Sequence, residues 1–178
     1  MRKTVLTFGL IAGAIISGMF LITLPFHEAI GFDRGEIIGY TSMVLAFLLI
    51  YFGVRSYRDN VAGGKIGFGK AFVVGALIAV VASVCYVASW QLVYHKLAPD
   101  FFPRYQAHMI EEARADGMNE EDLAKKRVEM AEFAEMYKNP LINIAFTFIE
   151  PTPVALIIAL VSAGVLSRRK NEGRREAM

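Results

Sequence analysis

The sequence predicts an all-α membrane protein: four transmembrane helices, with an amphipathic helical hairpin between the third and the fourth. Three observations lead there. Of 178 residues, 55% are hydrophobic and 20% charged, with a mean hydropathy of +0.43. A soluble domain has about 45–50% apolar and about 25% charged residues. The apolar excess lies in four long runs, and the one long polar stretch, between the third and fourth runs, has a helical pattern.

Crossing the hydrocarbon takes about 20 mainly apolar residues at about 1.5 Å rise each. The runs at 4–24, 37–54, 71–94 and 141–166 meet that need, and none alternates as a strand would. Arg2 and Lys3 precede the first run as they would a signal peptide. That run outlasts a signal core of about 7–15 residues and ends in Leu24-Pro25-Phe26-His27, without a small-x-small site. A retained helix is expected. The fourth run is interrupted by Glu150, Pro151 and Pro153.

Small residues recur four apart: Gly9, Gly13 and Ser17 on the first crossing, Ala71, Gly75, Ala79 and Ser83 on the third, Ala155, Ala159 and Ala163 on the fourth. Such stripes let helix backbones approach closely in lipid. The second crossing is read as bulkier and without a stripe. Intramolecular packing is the expected use, with homo-oligomerisation as the alternative.

Lys and Arg set the expected orientation. Arg2 and Lys3, then Arg55, Arg58, Lys65 and Lys70 in the second loop, then Arg168, Arg169, Lys170, Arg174 and Arg175 in the tail at 167–178, alternate sides as four crossings require. Both termini are expected in the cytoplasm and the segment 95–139 outside. That segment has ten carboxylates against seven Lys or Arg, a net of −3. Pro99 and Pro103 bracket an aromatic turn, and a first helix is expected over 104–116 with Tyr105, Met109, Ile110 and Ala113 on one face. Gly117 should stop it, and Asn119 should cap a second helix that opens on Glu120, Glu121 and Asp122. Glu121–Lys125 and Asp122–Lys126 are spaced for ion pairs, while Met130, Phe133, Ala134 and Tyr137 form an apolar face. Asn139-Pro140 should open the fourth crossing. The hairpin reads either as a docking module or as a cover for the crossing ends.

Little catalytic chemistry is encoded. Gly64-Lys65-Ile66-Gly67-Phe68-Gly69-Lys70 matches most of a phosphate-binding loop, but Ala71 replaces the Mg²⁺-binding hydroxyl and no buried strand precedes it. Neither nucleotide nor nucleic-acid binding is expected. His27, His95 and His108 lack dense metal-ligand spacing, so no metal site is expected, and no cofactor. Cys85, the single cysteine, reads as a packing residue. No Ser/His/Asp or paired-carboxylate set emerges among Ser83, Ser162, Gln91 and the other polar groups of the crossings, so no enzyme is expected.

Glu150 stands apart. It lies roughly 14 Å along helical rise from the start of the fourth crossing. Charged groups at such depth are expensive and are usually inward-facing, paired or protonated. The two prolines beside it free backbone carbonyls by removing donors. Counting inward from the other crossings places Ser17 and Tyr86 at its level and Ser89 one turn further out, as candidate partners. Glu150, Tyr86, Ser17 and Ser89 are therefore the candidate functional residues.

These residues form a series: GEIIGYTSMVLAFLLIYFGVRSYRD, then GGKIGFGKAFVVG, Tyr86 and Trp90, Pro99-Asp100-Phe101, Met136 to Leu141, and Glu150 with Pro153-Val154. In order and spacing it resembles the domain-of-unknown-function 4199 family of bacterial membrane proteins, over nearly the whole chain. It departs at Ala155, where the family pattern favours Gly. The resemblance implies a four-helix protein of the bacterial inner membrane and no particular activity. Two functions fit these features. One is a non-enzymatic accessory protein that binds an envelope partner through 95–139. The other is a small proton-coupled transporter or channel subunit centred on Glu150.

Overall fold

The computed structural model describes residues 1–167. The basic tail from Arg168 onward lies outside the described residues, as do the side chains of His27 and Glu28. The apolar runs become helix because a chain in hydrocarbon must satisfy its own N–H and C=O groups. In chain order the described elements are α1 (Arg2–Thr23), a 3-10 turn (Leu24–Phe26), α2 (His27–Ile30), α3 (Phe32–Asn60), α4 (Phe68–Leu92) and a π-helical turn (Val93–Leu97). Then follow α5 (Phe101–Ala115), α6 (Glu120–Tyr137), α7 (Pro140–Ile149) and α8 (Thr152–Ser167), with no strand among the described residues. Four helical stretches there are long and apolar enough to cross a membrane: Arg2–Phe26, Phe32–Asn60, Phe68–Leu97 and Pro140–Ser167.

α4 is the hub and packs against α1, α3 and α8. The small stripes explain how. A Cβ on Gly9 would stand 2.6 Å from the Val81 Cβ, and one on Gly13 would stand 2.6 Å from the Cys85 Cβ. α1 and α4 therefore touch backbone to side-chain root. On another face of α4, a Cβ on Gly75 would meet Ile50 Cγ2 at 3.0 Å and Ala159 Cβ at 3.2 Å, so α3 and α8 close on the same glycine. Ala71, Ala79, Ser83, Ala155, Ala159 and Ala163 are all buried. Outside, Leu10, Ile22, Leu45, Phe52, Val84, Ile157 and Val161 are exposed. Small inside and large apolar outside is the arrangement a lipid solvent favours.

Hydropathy marks the hydrocarbon crossing rather than the helix, so the second run proves too short. α3 extends past it at both ends, and Arg55 pairs with Asp59 one turn on at 3.6 Å. The fourth run is broken: α7 ends at Ile149 and α8 begins at Thr152. The aromatic turn after Pro99 is itself helical, since Pro103 falls in the first turn of α5, where a missing N–H has no helical partner to lose. Asp122 pairs with Lys125 at 3.2 Å rather than with Lys126. The other hairpin signals hold. Gly117 has a φ of 88°, a left-handed stop that only glycine adopts freely. Asn119 Oδ1 accepts the Asp122 N–H at 2.9 Å, and Asn139 Oδ1 accepts the Leu141 N–H at 3.0 Å with Pro140 at the helix start. Glu121 and Lys125 pair at 2.9 Å.

A candidate binding cavity at the broken fourth helix

The break follows from two prolines two residues apart. Pro151 and Pro153 lack the N–H groups that the carbonyls of Thr147 and Ile149 would accept in a continuous helix. Between these two carbonyls, that of Phe148 accepts from Thr152 Oγ1 at 2.8 Å. Glu150 sits at the gap, at the end of α7. α8 continues against α3 and α4, whereas α7 packs against α4 and α6.

A half-open cavity of about 410 Å³ occupies this level. Its wall combines Met19, Phe20 and Thr23 of α1, the first three turns of α3, Tyr86 and Trp90 of α4, Phe101, Phe102 and Tyr105 of α5, Tyr137 of α6, and Glu150. Gly31, Gly35 and Gly39 form one stripe on the α3 wall. A Cβ on any of the three would meet nothing within 4 Å, so here glycine opens space instead of closing a contact. The second crossing thus does carry a small stripe. It begins six residues before the apolar run and escapes a scan confined to that run.

The Tyr86 hydroxyl donates to Glu150 Oε2 at 3.0 Å. Tyr86 is buried, whereas Glu150 is exposed to the cavity rather than enclosed among helices. Ser17 and Ser89 do not join them. Both hydroxyls donate to the carbonyl of Cys85, at 3.3 and 3.0 Å. For Ser89 this is the bond a helical serine makes to the carbonyl four residues back. Depth was a fair guide to which turn each residue occupies, but the azimuth around each helix decided the partner.

Beside the cavity runs a second polar chain that the sequence reading missed. The Trp90 Nε1–H, which can only donate, lies 2.9 Å from Tyr137 Oη. Thr147 Oγ1 donates to the Asn143 carbonyl at 2.8 Å. Tyr137 therefore donates to Thr147, 3.2 Å away. Burial pushes the Tyr137 hydroxyl pKa up, against the pull of both hydrogen bonds, so it stays a neutral donor. Gln91 Nε2 reaches Asn143 Oδ1 at 2.7 Å, and the buried Asn143 Nδ2 is left without a partner.

The hairpin turns its aromatic face inward. Phe101, Tyr105 and His108 surround the Phe32 ring, with centroids 5.6, 5.6 and 5.0 Å away, and His108 Nε2 lies 2.9 Å from Asp33 Oδ1. α5 is thereby pinned to the start of α3, over the cavity. Of the histidines, His95 lies against the Tyr94 ring, and among the described residues no three His, Cys, Asp or Glu side chains are grouped as a metal site.

The family model described as "Protein of unknown function (DUF4199)" matches residues 7–168. The chain belongs to the DUF4199 family. The DUF4199 match takes in every residue of the cavity wall, as well as the break at Glu150 and the aromatic cover. No curated protein and no solved structure matches the chain significantly.

Proposed function

We propose that this chain is a non-enzymatic membrane protein that binds a small molecule in the cavity and exchanges a proton there at Glu150, as a proton-coupled transporter or channel subunit. One observation carries the reading. Glu150 stands at a helix break, held by a hydroxyl from the facing helix, with its carboxyl open to a ligand-sized space. Pockets that take small molecules run from about 300 to about 1,000 Å³. Broken helices in membranes commonly mark such sites, because irregular backbone is tolerated at depth only where protein or a cavity covers it.

The distribution of Lys and Arg supports a bacterial inner-membrane location with both termini in the cytoplasm. The cavity lies at the end of the bundle where α1 finishes and α3 begins, away from the basic loop that joins α3 to α4. In this orientation it belongs to the outer side. The accessory reading, a partner docked on 95–139, draws less support. The hairpin spends its aromatic face on the cavity, and charges outside it pair locally: Glu121 with Lys125, Glu135 with Lys138, Arg114 with Glu120. Homo-oligomerisation through the stripes of α1, α4 and α8 is likewise weakened, since those stripes are used within the chain.

Trp90 is the single tryptophan and lines the cavity, so its emission reports on it. In lipid nanodiscs the emission of the wild type should change with pH as Glu150 titrates. The Glu150→Gln variant should lose most of this response at unchanged melting temperature, leaving only the part that Glu36, in the same wall, contributes. An undiminished pH response in Glu150→Gln, or none in the wild type, would reject proton exchange at this site.

A further inference from the structure

We propose that the cavity selects hydrophobic monocations: one ammonium- or phosphonium-type charge on an aryl or alkyl body. This rests on the reading of the cavity as a binding site and adds the chemistry of its occupant. Three properties of the wall lead to it. The first is charge. Among the described residues of the wall, Glu36 and Glu150 are the only formally charged ones, with no Lys, Arg or His beside them. A low-polarity cleft whose charges are all of one sign concentrates the opposite sign.

The second is the state of its hydrogen-bond donors. The Thr23 hydroxyl donates to the carbonyls of Met19 or Phe20, both at 3.0 Å, and the Ser42 hydroxyl to that of Ile38 at 2.7 Å. The Tyr86 hydroxyl and the Trp90 indole are committed to Glu150 and Tyr137. Of the wall's described side-chain donors, the Tyr40 and Tyr105 hydroxyls alone are left for an anion or a carbonyl-rich ligand, and any further bond to it requires breaking one of these hydrogen bonds. A cation needs only the acceptors and ring faces that remain. The third is the rings themselves. Phe20 and Phe101 stand 5.6 and 5.5 Å from Trp90, which forms a continuous aromatic wall. Indole is the strongest common partner for a cation, and its contribution grows when water is excluded. A phospholipid in the same space would bring a phosphate to a wall whose described residues offer it no cation.

The test uses the full chain in nanodiscs of zwitterionic lipid, with empty nanodiscs to give the partition background. The probes are tetraphenylphosphonium, the oppositely charged tetraphenylborate of matched shape, and the smaller benzyltrimethylammonium. Trp90 emission and equilibrium dialysis are read together. At least one of the two cations should bind saturably, tetraphenylborate should not, and Glu150→Gln should weaken the cation by about tenfold or more, the loss expected for one charged partner. Glu150→Asp should restore part of it. Gly39→Leu, whose Cβ would meet nothing within 4 Å, should fold normally and abolish binding. Equal binding of tetraphenylborate, an unchanged cation affinity in Glu150→Gln, or a co-purified phospholipid that no cation displaces would overturn the assignment. If Trp90 still follows Glu150 titration while neither cation binds, the proton-exchanging site stands and the cation class falls. If both signals are missing, both fall.

Discussion

Gly13 offers a test whose magnitude can be worked from distances. A Cβ there would lie 2.6 Å from the Cys85 Cβ and 2.8 Å from its Sγ, whereas ordinary contact begins at 3.4 Å. The Cys85 Cβ is fixed to the α4 backbone and cannot rotate away, so Gly13→Ala must part α1 from α4 by about 0.8 Å. Overpacking of this kind costs about 1–3 kcal/mol. Against it stands the gain in helix propensity from Gly to Ala, at most about 1 kcal/mol. Gly35→Ala is the matched control. It brings the same propensity gain at a helical position where a Cβ meets nothing within 4 Å. The difference between the two variants therefore isolates the clash. At roughly 2 kcal/mol it corresponds to about 4–8 °C for a chain of this size. Thermal unfolding in one detergent, followed by Trp90 emission, should place Gly13→Ala below Gly35→Ala by that margin. Equal melting temperatures, or the reverse order, would refute the described α1–α4 contact.

Gly75→Leu should lower the melting temperature clearly more than Leu77→Ala, because Gly75 faces Ile50 and Ala159 while Leu77 is exposed; equal effects would turn the stripe toward lipid. Glu150→Gln should keep the fold, whereas Glu150→Leu strands the Tyr86 hydroxyl and should cost about 1–3 kcal/mol in the same assay. Tyr137→Phe removes the acceptor of Trp90 and the donor to Thr147, so it should destabilise by a similar amount and alter Trp90 emission at every pH. In a Cys85→Ser background, thiols introduced at Lys3, Asn119 and Asn171 should differ on intact spheroplasts: only the Asn119 site should react with an impermeant maleimide. Reaction at Asn171 but not at Asn119 would invert the topology.

The spans were legible because one physical requirement, about 20 apolar residues, writes itself plainly in sequence. The cap at Asn119 and the helix start at Asn139-Pro140 were legible because they depend on neighbours three or fewer residues away. The Tyr86–Glu150 pairing came from counting depth, a one-dimensional quantity that helical rise fixes. What sequence could not provide was rotation about each axis, and Ser17 and Ser89 show the consequence, since both turn to the Cys85 carbonyl. The cavity itself was hidden for a different reason. It is made by an absence of side chains at Gly31, Gly35 and Gly39, and the same spacing elsewhere in this chain closes helices together. Only the relative placement of α3 and α7 decides between the two outcomes. The aromatic residues of the hairpin read as an amphipathic face, and which surface that face would cover was a tertiary matter.

In the proposed function, Glu150 faces a cavity open to the outer side. In a Cys85→Ser background, Glu150→Cys can be exposed on intact spheroplasts to two impermeant methanethiosulfonates, one with a trimethylammonium group and one with a sulfonate, with the fully buried Ile78→Cys as control. The introduced thiol at position 150 should react from outside, faster with the cationic reagent because Glu36 remains in the wall, and the one at position 78 should stay inert. Reaction at position 150 only after permeabilisation, or none at all, would contradict the account.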